Sequence, residues 1–479
     1  MLKPRDLLLL VLVTFGALLV HGYHPWAEDG EIYVPGIEKI LQPELFPFNA
    51  QFFEAHAHAT LFPYLIAESV RISHLHLETA LLLWQLISIF LLLLACWQLS
   101  GACFTHPKAR WAGVAVVAAL LTMPVAGTSL YIMDQYLNPR NLSASAAIFA
   151  IAKVLDEKYV QAALFLILAG AIHPLMAVFA LSLCILLLLM RKTFLGIFAA
   201  LLPFGISFAA PAKAYHQVAL TRSYFYVTRW HWYEWLGVIG PMALVWWLSR
   251  LAKARQWRNV DLLCRALLVY QSIYLILALV LSVPARFEAL ARLQPMRSLY
   301  LLYIIMLLLA GGVLAEFVLK NHVWRWLALF VPLCAVMFVA QRMLFPADAH
   351  IEWPGAGSRN QWVEAFFWIR DNTPVNAIFA LDPYYMEIPG EDEQGFRAIA
   401  RRNRTADAVK DSGAVSMFPE MADEWWRQVQ AQSGWRNFDP AQFQRLQAEY
   451  GVTWIVLQQP GIGGLECPYH NQVVLVCRF

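Results

Sequence analysis

Apolar residues recur along the first 345 positions in runs too long and too numerous for one globular core to bury. Eleven runs stand between charged or Pro-rich breaks: 7–20, 79–97, 111–127, 142–154, 160–172, 175–190, 194–210, 235–248, 262–283, 299–318 and 324–344. A helix needs about 20 apolar residues to cross a bilayer core. Within hydrocarbon it must also satisfy its own backbone polar groups. Composition agrees, with 59% hydrophobic and only 14% charged residues, where a soluble domain carries about 25% charged. A soluble enzyme, a disordered chain, a coiled coil and a disulfide scaffold are excluded. The expectation is an α-helical polytopic membrane protein with about 11 transmembrane helices, one or two of the shorter runs being candidates for re-entrant segments.

Charge sets the orientation. Residues 1–344 carry 25 Lys+Arg against 16 Asp+Glu, whereas 345–479 carry 11 against 17. The basic excess lies between apolar runs, where it orients helices and does not mark a nucleic-acid surface. One alternating set of loops is short and basic, holding Lys3/Arg5, Lys108/Arg110, Lys153/Lys158, Arg191/Lys192, Arg250–Arg265 and Lys320/Arg325, and is expected to be cytoplasmic. The other set, 21–78, 128–141, 211–234 and 284–298, is aromatic and rich in His and carboxylates, and is expected outside. The first run lacks a small-residue cleavage site after it, so it reads as a retained helix. This predicts a multi-pass protein of the cytoplasmic (inner) membrane, N-terminus in the cytoplasm, tail periplasmic or extracytoplasmic.

Beyond residue 345 the pattern changes to that of a soluble α/β domain, 346–479, following a transmembrane domain over 1–345. Residues 359–371 and 440–450 read as amphipathic helices, and 377–381, 452–457 and 473–478 as strands. Five of the seven cysteines lie in or beside apolar runs. Cys467 and Cys477 lie in the tail around a turn-like Pro468-Tyr469-His470-Asn471 and are candidates for a disulfide, the plainer alternative being two free thiols.

The outer loops hold the chemistry. His24-Pro25-Trp26-Ala27-Glu28-Asp29-Gly30-Glu31 places three carboxylates just beyond the first span. Carboxylates so near a membrane need water, a cation or an Arg partner. They suit a base facing a membrane-borne substrate; the plainer alternative is a solvated loop. His56 and His58, in Phe52-Phe53-Glu54-Ala55-His56-Ala57-His58, would share a face in a strand and diverge in a helix. Two histidines do not make a metal site, so none is assigned there; they are substrate-binding candidates. Leu61-Phe62-Pro63-Tyr64 then suggests a helix lying at the interface. Arg140 in Asn138-Pro139-Arg140-Asn141, His173 before Pro174, and Arg286 and Arg297 before the tenth run stand at outer helix ends as candidate phosphate ligands. Tyr226 and Arg229, in the crowded stretch Arg222–Tyr233, are candidates for the sugar. Guanidinium forks grip phosphate and rings cover sugar faces, whereas the plainer alternative is an aromatic belt with snorkelling arginines. No P-loop, dinucleotide fingerprint, H-E-x-x-H or C-x-x-C occurs, which argues against a nucleotide-driven pump and a zinc protease.

With Glu28-Asp29 in the first outer loop, a multispan body and an outer α/β tail, the chain resembles the GT-C glycosyltransferases, integral membrane enzymes that include the protein mannosyltransferases and the lipid A aminoarabinose transferases. The resemblance implies a polyprenyl-phosphate-linked sugar as donor, a lipid, glycan or protein acceptor, and Asp29 as catalytic carboxylate with Glu28 beside it. It leaves a divalent cation open. The tail segment Glu391–Arg397, with Arg401, Arg402 and Arg404, is similar to a family-type signature without an assigned role. The competing class is a lipid or polysaccharide transporter or assembly protein without transferase activity. Transporters place essential charges near the midplane and often show inverted repeats. Here the polar residues gather at outer helix ends and no repeat is visible.

Overall fold

The computed structural model describes residues 2–191, 213–282 and 288–478. Six helices within it are long and apolar enough to cross a membrane: Pro4–His21, Leu77–Cys103, Trp232–Ala254, Arg258–Ser282, Pro295–Leu319 and Val323–Leu344. At 1.5 Å per residue they span about 27–40 Å, the thickness of a bilayer core or more. Tyr159–Ile172 and Pro174–Met190 are shorter apolar helices. The outermost helices turn apolar side chains outward. Val323–Leu344 exposes Trp324, Leu327, Val331 and Val336, and Pro4–His21 exposes Leu8, Leu12, Phe15 and Leu19. Water does not tolerate such surfaces, and lipid does. The chain is a multi-pass membrane protein.

The expected eleven spans are not all reproduced as long helices, and two runs take another form. The run 111–127 is helical only as part of Pro107–Ala119; the chain then turns into a short hairpin of Pro124–Val125 with Leu130–Tyr131. Thirteen residues rise about 20 Å, too short to cross. The run 142–154 belongs to Pro139–Leu155, which is buried at every position except Lys153. Its small residues Ser143, Ala144, Ala146, Ala147 and Ala150 let neighbouring helices close in on all sides. Ser143 Oγ donates to the Ala169 carbonyl at 3.0 Å, and Phe149 stacks on Phe165 at 4.9 Å. It is an inner helix, with no face left for lipid. The run 194–210 lies outside the described residues.

Between the first two long helices the loop folds into three short ones, Gly30–Leu41, Gln51–His58 and Phe62–Ser73. The last buries Phe62, Pro63 and Ile66 while Tyr64, Leu65 and Ile72 stay exposed, the two-sidedness an interfacial helix needs. The tail forms a five-stranded sheet in the order Asn403–Arg404, Ile378–Leu381, Trp454–Gln458, Val474–Arg478, Glu466–His470. The first two pairings are parallel and the last two antiparallel. Gln361–Asn372 is capped by Asn360, whose side chain accepts from Trp362 N at 2.9 Å; Pro440–Tyr450 carries an Asp439/Gln442 capping box. A disulfide joins Cys467 to Cys477 across the outer hairpin.

The tail is not a module hung on a linker. Trp26, Val34 and Ile37 of the loop between the first two long helices share one apolar core with Phe366, Phe379 and Phe396 of the tail. Tyr23 bridges to Ile351 and Ala27 to Gln394 as single β-pairs. Gly395 N donates to the Trp26 carbonyl at 2.8 Å, and a Cβ on Gly395 would sit 2.8 Å from Glu31 Oε2, so only glycine admits this approach.

Candidate active site

The first helix ends at His21, and the chain folds back through Pro25 and Trp26 to Glu28. A Cβ at Gly30 would meet the Pro25 carbonyl at 2.9 Å, so a glycine closes this turn. Glu28 sits in the left-handed region at φ +55°, strained for a residue with a Cβ. Its amide donates to the Glu393 carbonyl at 3.0 Å, so the tail holds the strained residue in place. Asp29 then occupies the N-cap of Gly30–Leu41, yet its carboxylate caps nothing. It turns into a cavity of about 810 Å³ between the helix ends and the tail.

Two helix starts and the tail surround that carboxylate. Asn138 and His173 each cap a helix whose first residue is proline, Pro139 and Pro174, and both helix starts face the cavity. Arg140, one residue into its helix, reaches Asp134 Oδ2 at 2.7 Å and Asp29 Oδ2 at 4.0 Å, a guanidinium between two carboxylates. Asn138 Nδ2 also donates to Asp134. From the tail, Lys410 ion-pairs with Glu28 and lies 3.7 Å from Asp29 Oδ1. Burial disfavours the Asp29 anion, but Lys410, Arg140, Arg297 and Arg222 together outweigh it and hold the carboxyl below its ordinary range. Asp29 is therefore ionised, and 30% of its side chain stays open to the cavity.

Arg297 is differently placed. Its guanidinium lies 4.7 Å from the centroid of the Tyr224 ring, its Nε is buried without a hydrogen-bond partner, and it makes no ion pair among the described residues. Arg222 lines the same wall, and its Nε is also unpartnered. A half-buried cation with no ion pair is costly to desolvate; a bound anion reduces that cost. His56 faces the cavity as well, and burial pushes its imidazole down to about 4, so it is neutral and offers one donor and one acceptor.

Of the residues expected from sequence, the cavity brings together Asp29, Glu28, Arg140, His173, Arg297 and His56. Gln51–His58 is a helix, so His56 and His58 diverge and His58 stays exposed, away from the cavity. Tyr226 and Arg229 also stand apart: the Tyr226 hydroxyl donates to Glu288, and Arg229 lies over the Tyr226 ring at 5.1 Å. Arg286 lies outside the described residues. Glu31 is buried behind the site. Sequence reasoning missed Asp134 and Lys410. Asp134 stood four residues before the noted Asn138; Lys410 had no local signal at all. Nor was a role assigned to the Arg-rich tail segment. Arg397 pairs with Glu31 at 3.2 Å and bidentately with Asp411 at 2.8 Å, so it fastens tail to loop.

For metals, the cation set between the Asp29 and Asp134 carboxylates is Arg140 itself. Among the described residues the three-donor group with metal-ligand spacing is His24, Asp348 and Glu352, outside this cavity.

No family model matches the chain, and no curated protein does. Among solved structures it is similar to the Archaeoglobus fulgidus oligosaccharyltransferase in the apo form, with a TM-score of 0.48 and 13% identity over 95% of this chain and 70% of that one. It is likewise similar to the archaeal oligosaccharyltransferase AglB of Archaeoglobus fulgidus in complex with an inhibitory peptide and a dolichol-phosphate, with a TM-score of 0.48 and 12% identity over 95% and 69% of the two chains. At that distance the chemistry of this chain has to be read from its own residues.

Proposed function

We propose that the protein is a membrane glycosyltransferase of the GT-C type that moves a sugar from a polyprenyl-phosphate-linked donor to a lipid, glycan or protein acceptor at the outer face of the membrane. One observation carries the reading: an ionised, partly open Asp29 and a half-buried cation with no ion pair among the described residues, Arg297, line the same cavity. The acceptor O–H or N–H attacks the anomeric carbon as the carbon–oxygen bond to phosphate breaks. Asp29 takes the acceptor proton. The bonding pair passes to the phosphate oxygen, and Arg297 with Arg222 stabilises the polyprenyl phosphate that leaves. A single displacement inverts the anomeric centre. Tyr233 borders the cavity beside the exposed Trp232; aromatic side chains favour the lipid headgroup region, which suits a prenyl tail left in the bilayer. Arg140 keeps Asp29 aligned against Asp134.

The test is release of polyprenyl phosphate from a labelled polyprenyl-phosphate sugar by the purified protein, with a pool of lipid and peptide acceptors analysed by mass. Wild type should release it and glycosylate an acceptor; movement of intact donor across vesicles without cleavage would instead establish the transporter reading. Orientation is read separately, by labelling single cysteines in intact cells: tail positions should react and positions near Arg255 should not.

A further inference from the structure

A second polar cluster lies outside the cavity, where the loop before Glu28 meets the segment following the last long helix. His24, Asp348 and Glu352 bring one donor atom each to within 4.8 Å of one another. His24 is fully buried and Asp348 is 3% exposed. The His24 ring is stacked on Phe345 at 3.8 Å and its Nδ1 meets Glu352 Oε1 at 2.8 Å, while its Nε2 is buried without a partner. Asp348 Oδ1 and Asp392 Oδ1 are buried and receive no hydrogen bond. The carboxylates have no Lys or Arg ion pair among the described residues; the nearby Arg342 spends its Nη1 on the carbonyls of Phe345 and Asp348. Buried carboxyls with no cation beside them favour the neutral form, and a bound cation would favour the charged one.

We propose that His24, Asp348 and Glu352 bind one divalent transition-metal cation of the zinc class, and that this ion staples the catalytic loop to the tail. Imidazole with carboxylates is a donor set for such ions rather than for magnesium or calcium, which take oxygen alone. Donors about 2.0–2.2 Å from an ion stand at most about 4.4 Å apart, a spacing close to that of this cluster. The supporting hydrogen bonds are present. Gln394 Nε2 donates to Asp348 Oδ2 at 2.8 Å and to Glu352 Oε1 at 3.1 Å, and Asn360 Nδ2 donates to Asp348 Oδ2 at 3.2 Å. Such bonds fix ligating carboxylates in place. Asp392 Oδ2 accepts from Asp348 N at 2.7 Å and so holds the Asp348 backbone in place. The ligands come from two stretches of chain already pinned together by Tyr23–Ile351 pairing, and His24 stands five residues before Asp29. The ion is a positioning device, remote from the reacting atoms.

The experiment uses the full-length protein purified in detergent on a resin free of chelated metal. Metal content is measured by mass spectrometry after desalting, and the melting temperature is followed through chelator treatment and titration with zinc chloride. The expected result is about one equivalent of metal per chain, a melting temperature lowered by several degrees on stripping, and recovery with zinc. His24→Gln and Asp348→Asn should lose both the metal and the response, while Asp29→Asn keeps both. Wild type without stoichiometric metal, or with a melting temperature indifferent to chelator and zinc, overturns the proposal. So does metal lost in Asp29→Asn and kept in His24→Gln. If the ligand variants fail to fold, the wild-type stripping and recovery alone decides.

Discussion

Asp29 and Glu31 are two residues apart, and both answer arginines, yet they do opposite work. Glu31 is fully buried. Its Oε2 accepts from Arg397 N at 2.7 Å and Ala398 N at 3.3 Å, and its Oε1 meets Arg397 Nη1 at 3.2 Å. Around it Asp407 and Asp411 face Arg397 and Arg404, so every charge has an opposite within 4 Å. Asp29 instead meets Arg140 and Lys410 only at 4.0 and 3.7 Å, in a cavity whose cations include the unpaired Arg297. A closed ion network holds structure together. An open one, with a cation left over and a carboxylate loosely held, is arranged for something that arrives.

The comparison breaks first if Asp29→Asn turns over donor like wild type. Losing a general base should cost about 10²–10⁴ in rate, with only a small fall in melting temperature from the lost attraction to Lys410 and Arg140. Arg397→Leu should show the reverse. Leaving Glu31 and Asp411 buried without their shared partner should cost about 3–5 kcal/mol of stability, read as a lower denaturation midpoint. Activity per folded molecule should fall less than in Asp29→Asn. Arg297→Ala sharpens the difference inside the cavity: donor binding and turnover should both weaken, because phosphate is charged before and after transfer, and a rise in donor KM separates it from Asp29→Asn.

A smaller effect concerns pH. The Asp29 carboxyl is held below its ordinary range, burial raising it and Lys410, Arg140, Arg297 and Arg222 lowering it more. A depressed carboxylate contributes its stability above the unfolded-state pKa and loses it as pH falls through the folded one. The acid limb of activity should therefore lie below the usual Asp range. Lys410→Met removes the first-ranked cation while the burial remains, so that limb should move to higher pH. The smallest effect is expected of His58→Ala, which should leave turnover and stability nearly unchanged, since His58 points away from the cavity its neighbour His56 lines.

The pieces legible in the chain were those whose signal is local. Apolar runs mark helices because each lipid-crossing segment satisfies its own backbone, and six of them form long helices where expected. Glu28-Asp29, Arg140, His173 and Arg297 stood out because charge and imidazole at the end of an apolar run need a reason. The Asn360 and Asp439 caps follow from the residues next to them. Length alone did not tell a lipid-facing helix from an inner one: Pro139–Leu155 is apolar like its neighbours, but its small residues let it be enclosed.

Tertiary structure decided which charges share a site. Lys410 reaches Glu28 across 382 residues, and Arg397 reaches Glu31 across 366. No window of sequence can register such pairs, because the electrostatic field that holds Asp29 ionised is summed over residues brought near only by folding. Sequence by itself determined that the chain enters a membrane, where its six long helices lie along it, and that a carboxylate stands at the mouth of the first. The packed structure determined that the carboxylate two residues on became a structural anchor while Asp29 stayed open. Hydrophobic patterning is written along the chain, but the balance of charges in a cavity belongs to three dimensions.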